Sequence, residues 1–280
     1  MTFKAAALLF VGLMATTAHA TDSYFVNQRK EASMLVTGMV TIDPNGSVRD
    51  YTLDHSEQLS QSVKDIVKQN VDRWKFQFAS TPSTTVVEHM SLRLVAHMID
   101  DQHASIRVVG TSFDDAQIPS DENIGYKARA HFEYPKDALR ENAWGVVYVL
   151  VRVGRNGSVL DASAEQVNLG TFAPAADMAR YRKYLADAAI KGAKQTTFTV
   201  PTGGKLAEQP YWLVRFAVTF TPAGQPGDDY GTWSVYVPGP RMDIPWIERP
   251  ELAAGSPDTV PDGALHTLGG QPRLPPDGGG

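Results

Sequence analysis

At 280 residues, with no cysteine and a formal net charge of −5, the chain has room for two domains of ordinary size. It has no disulfide framework, no thiolate metal site and no basic footprint for nucleic acid. The fold must therefore stand on its own apolar core, and the mild acidity speaks mainly to solubility.

Residues 1–20 read as a signal peptide. Lys4 and the amino terminus form a weakly positive start, Ala5 to Thr17 form an apolar run, and Ala18-His19-Ala20 fits an Ala-x-Ala cleavage site. The run falls short of the roughly 20 apolar residues that a membrane span needs. The mature chain then begins at Thr21, its net charge moves from −5 to −6 as Lys4 leaves, and its compartment is the periplasm. The alternative keeps this segment as an inner-membrane anchor, and the membrane is a partner only in that case.

The first module is expected over 22–110. Val36, Gly38, Val40 and Ile42 alternate with Leu35, Thr37, Met39 and Thr41, and the strand runs into Asn45-Gly46. Period-two alternation marks a strand, and Asn-Gly is a strong hairpin signal because both residues tolerate positive φ. Leu59, Val63, Ile66, Val67, Val71 and Trp74 then follow helical spacing, with Asp54 or Ser56 as the candidate cap and Asp54/Glu57 shaped like a capping box. Trp74-Lys75-Phe76 leaves the helix. Met90, Leu92, Leu94, Ala96 and Met98 next alternate with His89, Ser91, Arg93, Val95 and His97, and Ala104 to Val109 suggest a further short strand.

A polar connector, 111–133, leads to the second module, 134–220. Pro135 suits the first turn of a short helix ending near Leu139. Val147, Val149, Val151 and Val153 alternate into Asn156-Gly157, and a longer helix carries Met178, Tyr181, Leu185, Ala188 and Gly192 on one stripe. Phe198 to Pro201 leave that helix. Trp212, Val214, Phe216, Val218 and Phe220 make the inward face of a last strong strand, Tyr211 to Phe220. From 221 to 280 the chain turns Pro/Gly-rich, with eleven of its eighteen prolines beyond Thr221. That density predicts a largely disordered tail, excepting a short edge strand over Thr232 to Val237 and a docking role for Trp246.

The strand, Asn-Gly turn, helix, aromatic exit and strand occur twice, which points to a duplicated unit and an α+β fold. The second copy resembles the TonB carboxy-terminal domain family in the order of Tyr134, Pro135, Ala138, Gly145, the Val147–Val153 strand, Asn156-Gly157, Val159, Phe198, Pro201 and the Val214–Phe220 strand. The first copy is similar from Gly38 onward, through Asn45, Gly46 and Trp74, but has no Tyr-Pro start.

The resemblance implies two small antiparallel sheets packed on helices, and function by binding. In the family an extended peptide adds to the edge of the last strand, which here would be offered by Tyr211, Leu213, Arg215, Ala217 and Thr219. The implied partner is an envelope protein or peptide, such as a segment of an outer-membrane receptor. Members that transduce energy carry a membrane anchor and a Pro-rich spacer ahead of the domain, whereas this chain has a cleavable leader and its Pro-rich segment comes last. The expectation is a periplasmic adaptor without enzymatic activity, cofactor or metal. The alternative is an inner-membrane-anchored transport accessory, and an envelope hydrolase ranks below both.

Residue types that could carry chemistry lack partners in sequence. His89 and His97 share a strand face but stand about 26 Å apart, too far to share a metal. Asp43-Pro44-Asn45-Gly46 opens like a calcium loop but lacks the later acids. Asp100-Asp101, Asp114-Asp115 and Asp228-Asp229 lie in connectors, where solvated charge is the expectation, and no nucleophile elbow, zinc motif or phosphate loop occurs. On the same reading Arg215 lies on an outward face, where truncation should matter little.

Overall fold

The computed structural model describes residues 31–98, 104–222, 229–247, 255–269 and 271–275. The expected leader, the Thr21 start, Asp100-Asp101, Asp228 and 276–280 lie outside the described residues.

Strong period-two alternation gives β1 (Glu31–Ile42), which turns through Asn45-Gly46 into β2 (Val48–Leu53). Gly46 adopts φ 82° and its N–H donates to Asp43 O at 2.7 Å. The helix α1 (Gln61–Val71) starts later than the proposed Asp54 or Ser56 caps, because Ser60 Oγ accepts from Val63 N at 3.4 Å. Asp54 instead accepts a hydrogen bond from the Thr37 hydroxyl, 2.6 Å, at the end of the hairpin. Val63, Val67 and Val71 turn inward from α1 onto the sheet that β3 (Val86–Met98) and β4 (Ala104–Asp115) complete. The strand order is β10-β1-β3-β4, where β10 is Ser234–Tyr236 from the tail, with β2 also on β1. β4 reaches Asp115, so the first residues of the expected connector belong to the sheet.

Trp74, Phe76 and Phe113 close this core in edge-to-face pairs with centroids 4.8–5.9 Å apart. Burying such rings contributes more than their area alone, because the quadrupoles align. Trp74 is 4% exposed, yet its indole nitrogen has no acceptor among the described residues.

The former connector also holds β5 (Gly125–Ala128), which pairs with β8 (Thr197–Thr199). The short helix α2 (Lys136–Arg140) follows Pro135, whose fixed φ of −63° suits the position, and Tyr134 donates its hydroxyl to Ala143 O at 2.8 Å. β6 (Gly145–Gly154) and β7 (Val159–Leu169) form the second hairpin, and α3 (Ala175–Ala193) packs Met178, Tyr181, Leu185 and Ala189 against them. β9 (Tyr211–Phe220) completes the core from the other side of β6. The architecture is α+β with antiparallel sheets, the two larger sheets each burying an apolar cluster against a helix.

The two hairpins close alike. Gly157 has φ 79°, and its N–H donates to Gly154 O at 2.8 Å. Phe76 N donates to Gly46 O and Phe198 N to Gly157 O, both at 2.8 Å. A Cβ on either glycine would stand 2.1 Å from the carbonyl oxygen of that aromatic residue. Each turn thus clasps the chain leaving the helix, and only glycine allows the approach.

The Pro/Gly-rich segment departs from the expected disorder in its described parts. β10 (Ser234–Tyr236) pairs with Glu31–Ser33 of β1, and Val237 exchanges backbone hydrogen bonds with Leu169 of β7 at 2.7 and 3.0 Å. Met242 N then donates to Glu165 O at 2.8 Å, and Trp246 Nε1 to Ser163 Oγ at 2.8 Å. Further on, Pro257 to Val260 are buried, β11 (His266–Thr267) lies on β9, and Arg273 bridges to Gln77. Proline excludes long ladders, but pairings of two or three residues need few donors, and burial of the intervening side chains holds them.

Candidate strand-addition edge

The face of β9 that the sequence assigns to solvent is an interior. Leu213, Arg215 and Ala217 are at most 6% exposed. Leu150 and Leu213 pack with Tyr211, Ile244, Trp246, Ile247 and Leu268, so tail residues cover this side of the sheet. The polar face of β3 is likewise enclosed along its middle, though His89 at one end is exposed: Ser91 and Val95 are buried, and Arg93 donates to Asp258 O at 2.8 Å, Ser33 Oγ at 3.2 Å and Tyr148 Oη at 3.3 Å. Arg93 on one sheet and Tyr148 on the other place the two sheets against each other through a polar layer. Within this layer Arg215 makes two hydrogen bonds to the Glu165 carboxylate, each side chain 1% exposed. Glu165 is the extra residue of a bulge in β7, between Ala164 opposite Val149 and Gln166 opposite Tyr148. The bulge re-aims the carboxylate. Alternation alone showed neither the bulge nor the second covering layer.

The proposed edge residues do share an orientation of the main chain. Leu268 N donates to Leu213 O at 2.8 Å and His266 stands opposite Arg215, so by the two-residue period Tyr211, Leu213, Arg215, Ala217 and Thr219 direct their N–H and C=O groups away from β6. This edge is already partly taken. β11 covers it at His266–Arg215 and Thr267–Val214, and Asp262 makes one parallel bridge to Ala217. The tail strand β10 pairs with β1 and not with β9. Between β11 and the Asp262 bridge the chain turns at Gly263, φ 77°, with Ala264 N donating to Pro261 O at 3.2 Å. The antiparallel register therefore ends before it reaches Thr219.

The corresponding edge of the first sheet is filled differently. β4 runs along β3 without a break in partnership from Glu88–Asp115 to Met98–Ala104, apart from one bulge. One last strand thus carries a full antiparallel neighbour, and the other carries two residues and a bridge.

His266 also reaches across to the first sheet, its Nδ1 2.6 Å from Asp114 Oδ1. Asp114 is therefore engaged rather than solvated. Opposite the next residue, Asp115, stands a group the sequence reading missed: Glu88, 2% exposed, with Oε2 unpartnered among the described residues. Burial first, then Asp115 and Asp114, push its carboxyl up to about 8. An acid in the alternating apolar row Glu88–Met90–Leu92 was the available signal.

The family-pattern positions sort by role. Asn45 and Asn156 accept from Ser47 N and Ser158 N at 2.9 and 3.1 Å, which fixes the turns. Gly145 is pressed against Asn168 O, where a Cβ would stand 2.2 Å away, and Tyr134 stacks edge-on to Phe220. Phe198 is 2% exposed. All serve the fold, and none lines the β9 edge. Among the described residues no cluster of three or more His, Asp or Glu side chains is placed to hold a metal, and no helix is long and apolar enough to cross a membrane. Comparison with protein-family models, curated proteins and solved structures finds no match.

Proposed function

We propose that this chain is an exported adaptor of the cell envelope, built from two TonB-carboxy-terminal-like modules, that recognises extended polypeptides by strand addition to β9. The observation that carries the reading is the contrast between β3 and β9. A whole strand, β4, seats on the β3 edge, while among the described residues the matching edge of β9 holds only β11 and the Asp262 bridge. A short, turn-interrupted pairing is one that a longer strand can replace, since each added residue gains ladder bonds that the tail does not make. The leader-like segment at 1–20 supports an exported location. In this reading the tail is a self-supplied strand that closes the edge until a partner takes it.

The test uses the full-length mature chain with Leu268→Pro, which removes the donor to Leu213 O. The probe is a fluorescein-labelled peptide copying residues 260–269. The variant, folded by circular dichroism, should bind the probe at least about tenfold tighter than the unaltered protein, because the tail no longer competes within the chain. Absence of binding to both proteins would overturn the proposal.

A further inference from the structure

A cleft of about 840 Å³ opens between the two sheets, at the end of β9 that β11 leaves uncovered. Leu35 and Thr37 of β1 stand on one wall, and Ala217, Thr219 and Thr221 on another. We infer that this cleft receives a basic, extended polypeptide segment, which seats antiparallel on the uncovered end of β9 and from there displaces residues 262–268. The inference rests on β9 being a strand-addition edge, and it adds the charge of the partner and its point of docking.

Continuity with the seated tail argues for the docking point. Extending the His266–Arg215 register would put Ala264 opposite Ala217 and Asp262 opposite Thr219, but the turn at Gly263 takes the chain off that path. Thr219 is exposed and its main chain points outward, so an incoming strand can pair there before any tail contact breaks. Growth along the edge then meets Ala217, Arg215 and Leu213 in turn.

Charge argues for the kind of partner. Among the described residues the exposed charged side chains of the cleft lining are Asp229 and Asp262. The one cation among the described lining residues, Arg93, is turned into the layer below and bonded to Asp258 O, Ser33 and Tyr148. In an extended occupant the Asp262 position falls opposite Thr219, beside this negative lining, whereas the tail itself turns off at Gly263 and seats Asp262 against Ala217. A strand with Lys or Arg at that place is the better occupant, and the overall charge of −5 steers it in the same sense.

The experiment uses the full mature chain and two labelled peptides copying residues 260–269, one unchanged and one with Lys in place of Asp262. At low salt the basic peptide should bind about tenfold tighter, and the advantage should vanish at high salt and in Asp229→Lys. Thr219→Pro should lose both peptides, since it deletes an outward donor and leaves the β6 ladder intact. A peptide carrying proline at the Asp262 position repeats that test without altering the protein. Equal affinity for the two unsubstituted-backbone peptides would overturn the charge assignment. Undiminished binding of the proline peptide would overturn the docking point. Failure of both peptides on the Leu268→Pro chain would instead sink the strand-addition reading beneath it.

Discussion

Arg215 of β9 and Glu165 of the β7 bulge hold each other through two hydrogen bonds, Nη2–Oε1 at 2.8 Å, inside the layer between the sheets. Each is 1% exposed. A pair this buried gains little over apolar residues of the same volume, but breaking it strands a charge. Arg215→Ala should therefore cost about 3–5 kcal/mol in urea unfolding, and Arg215→Met with Glu165→Leu should cost much less. Equal losses in the single and double variants would show that the pair is not the cause.

Glu88 makes stability depend on pH. Its carboxyl is raised to about 8 in the fold, chiefly by burial. The folded protein thus keeps a proton that the unfolded chain releases near the ordinary carboxylate range. Stability from this group is full below that range and falls as pH rises toward 8. Glu88→Gln should be more stable than the unaltered protein at pH 8, by about 2–4 kcal/mol, and nearly equal at pH 4. Melting temperatures across that interval check it.

Gly46 and Gly157 predict matched losses. Both hold φ near 80° and both lie against an aromatic residue's carbonyl. Alanine at either site should cost at least about 2 kcal/mol, from the left-handed backbone and the clash together. A large loss at one turn and none at the other would argue against equivalent roles.

Tyr230 tests the hold of the tail on the first sheet. Its hydroxyl donates to Thr37 O and accepts from Thr37 N, both at 3.2 Å. Tyr230→Phe should lower stability by about 1 kcal/mol and speed amide hydrogen exchange at Thr37. Unchanged exchange would mean that the ring packing alone holds the segment.

The residues forming both cores were legible because they repeat at the periods of their elements. Val36, Val40 and Ile42 alternate, and Val63, Val67 and Val71 recur at helical spacing. The Asn-Gly turns were legible for a local reason, since positive φ is needed at glycine whatever lies around it. Ser60 rather than Asp54 caps α1 because capping depends on where the chain comes off the hairpin, and the Thr37–Asp54 bond occupies the Asp54 side chain.

Sequence alone therefore determined the two hairpin-and-helix units and which side of each strand meets a helix, because those choices are fixed by neighbours a few residues away. The tertiary structure decided what covers the other side. Arg215 and Arg93 look solvent-facing within their own strands, and only the arrival of Asp258, Tyr148 and Trp246 from distant parts of the chain makes that face an interior. The state of the β9 edge was decided in the same way. Strand edges are completed by backbone groups that every residue carries, so no side-chain pattern announces that His266 and Thr267 will lie on Arg215 and Val214.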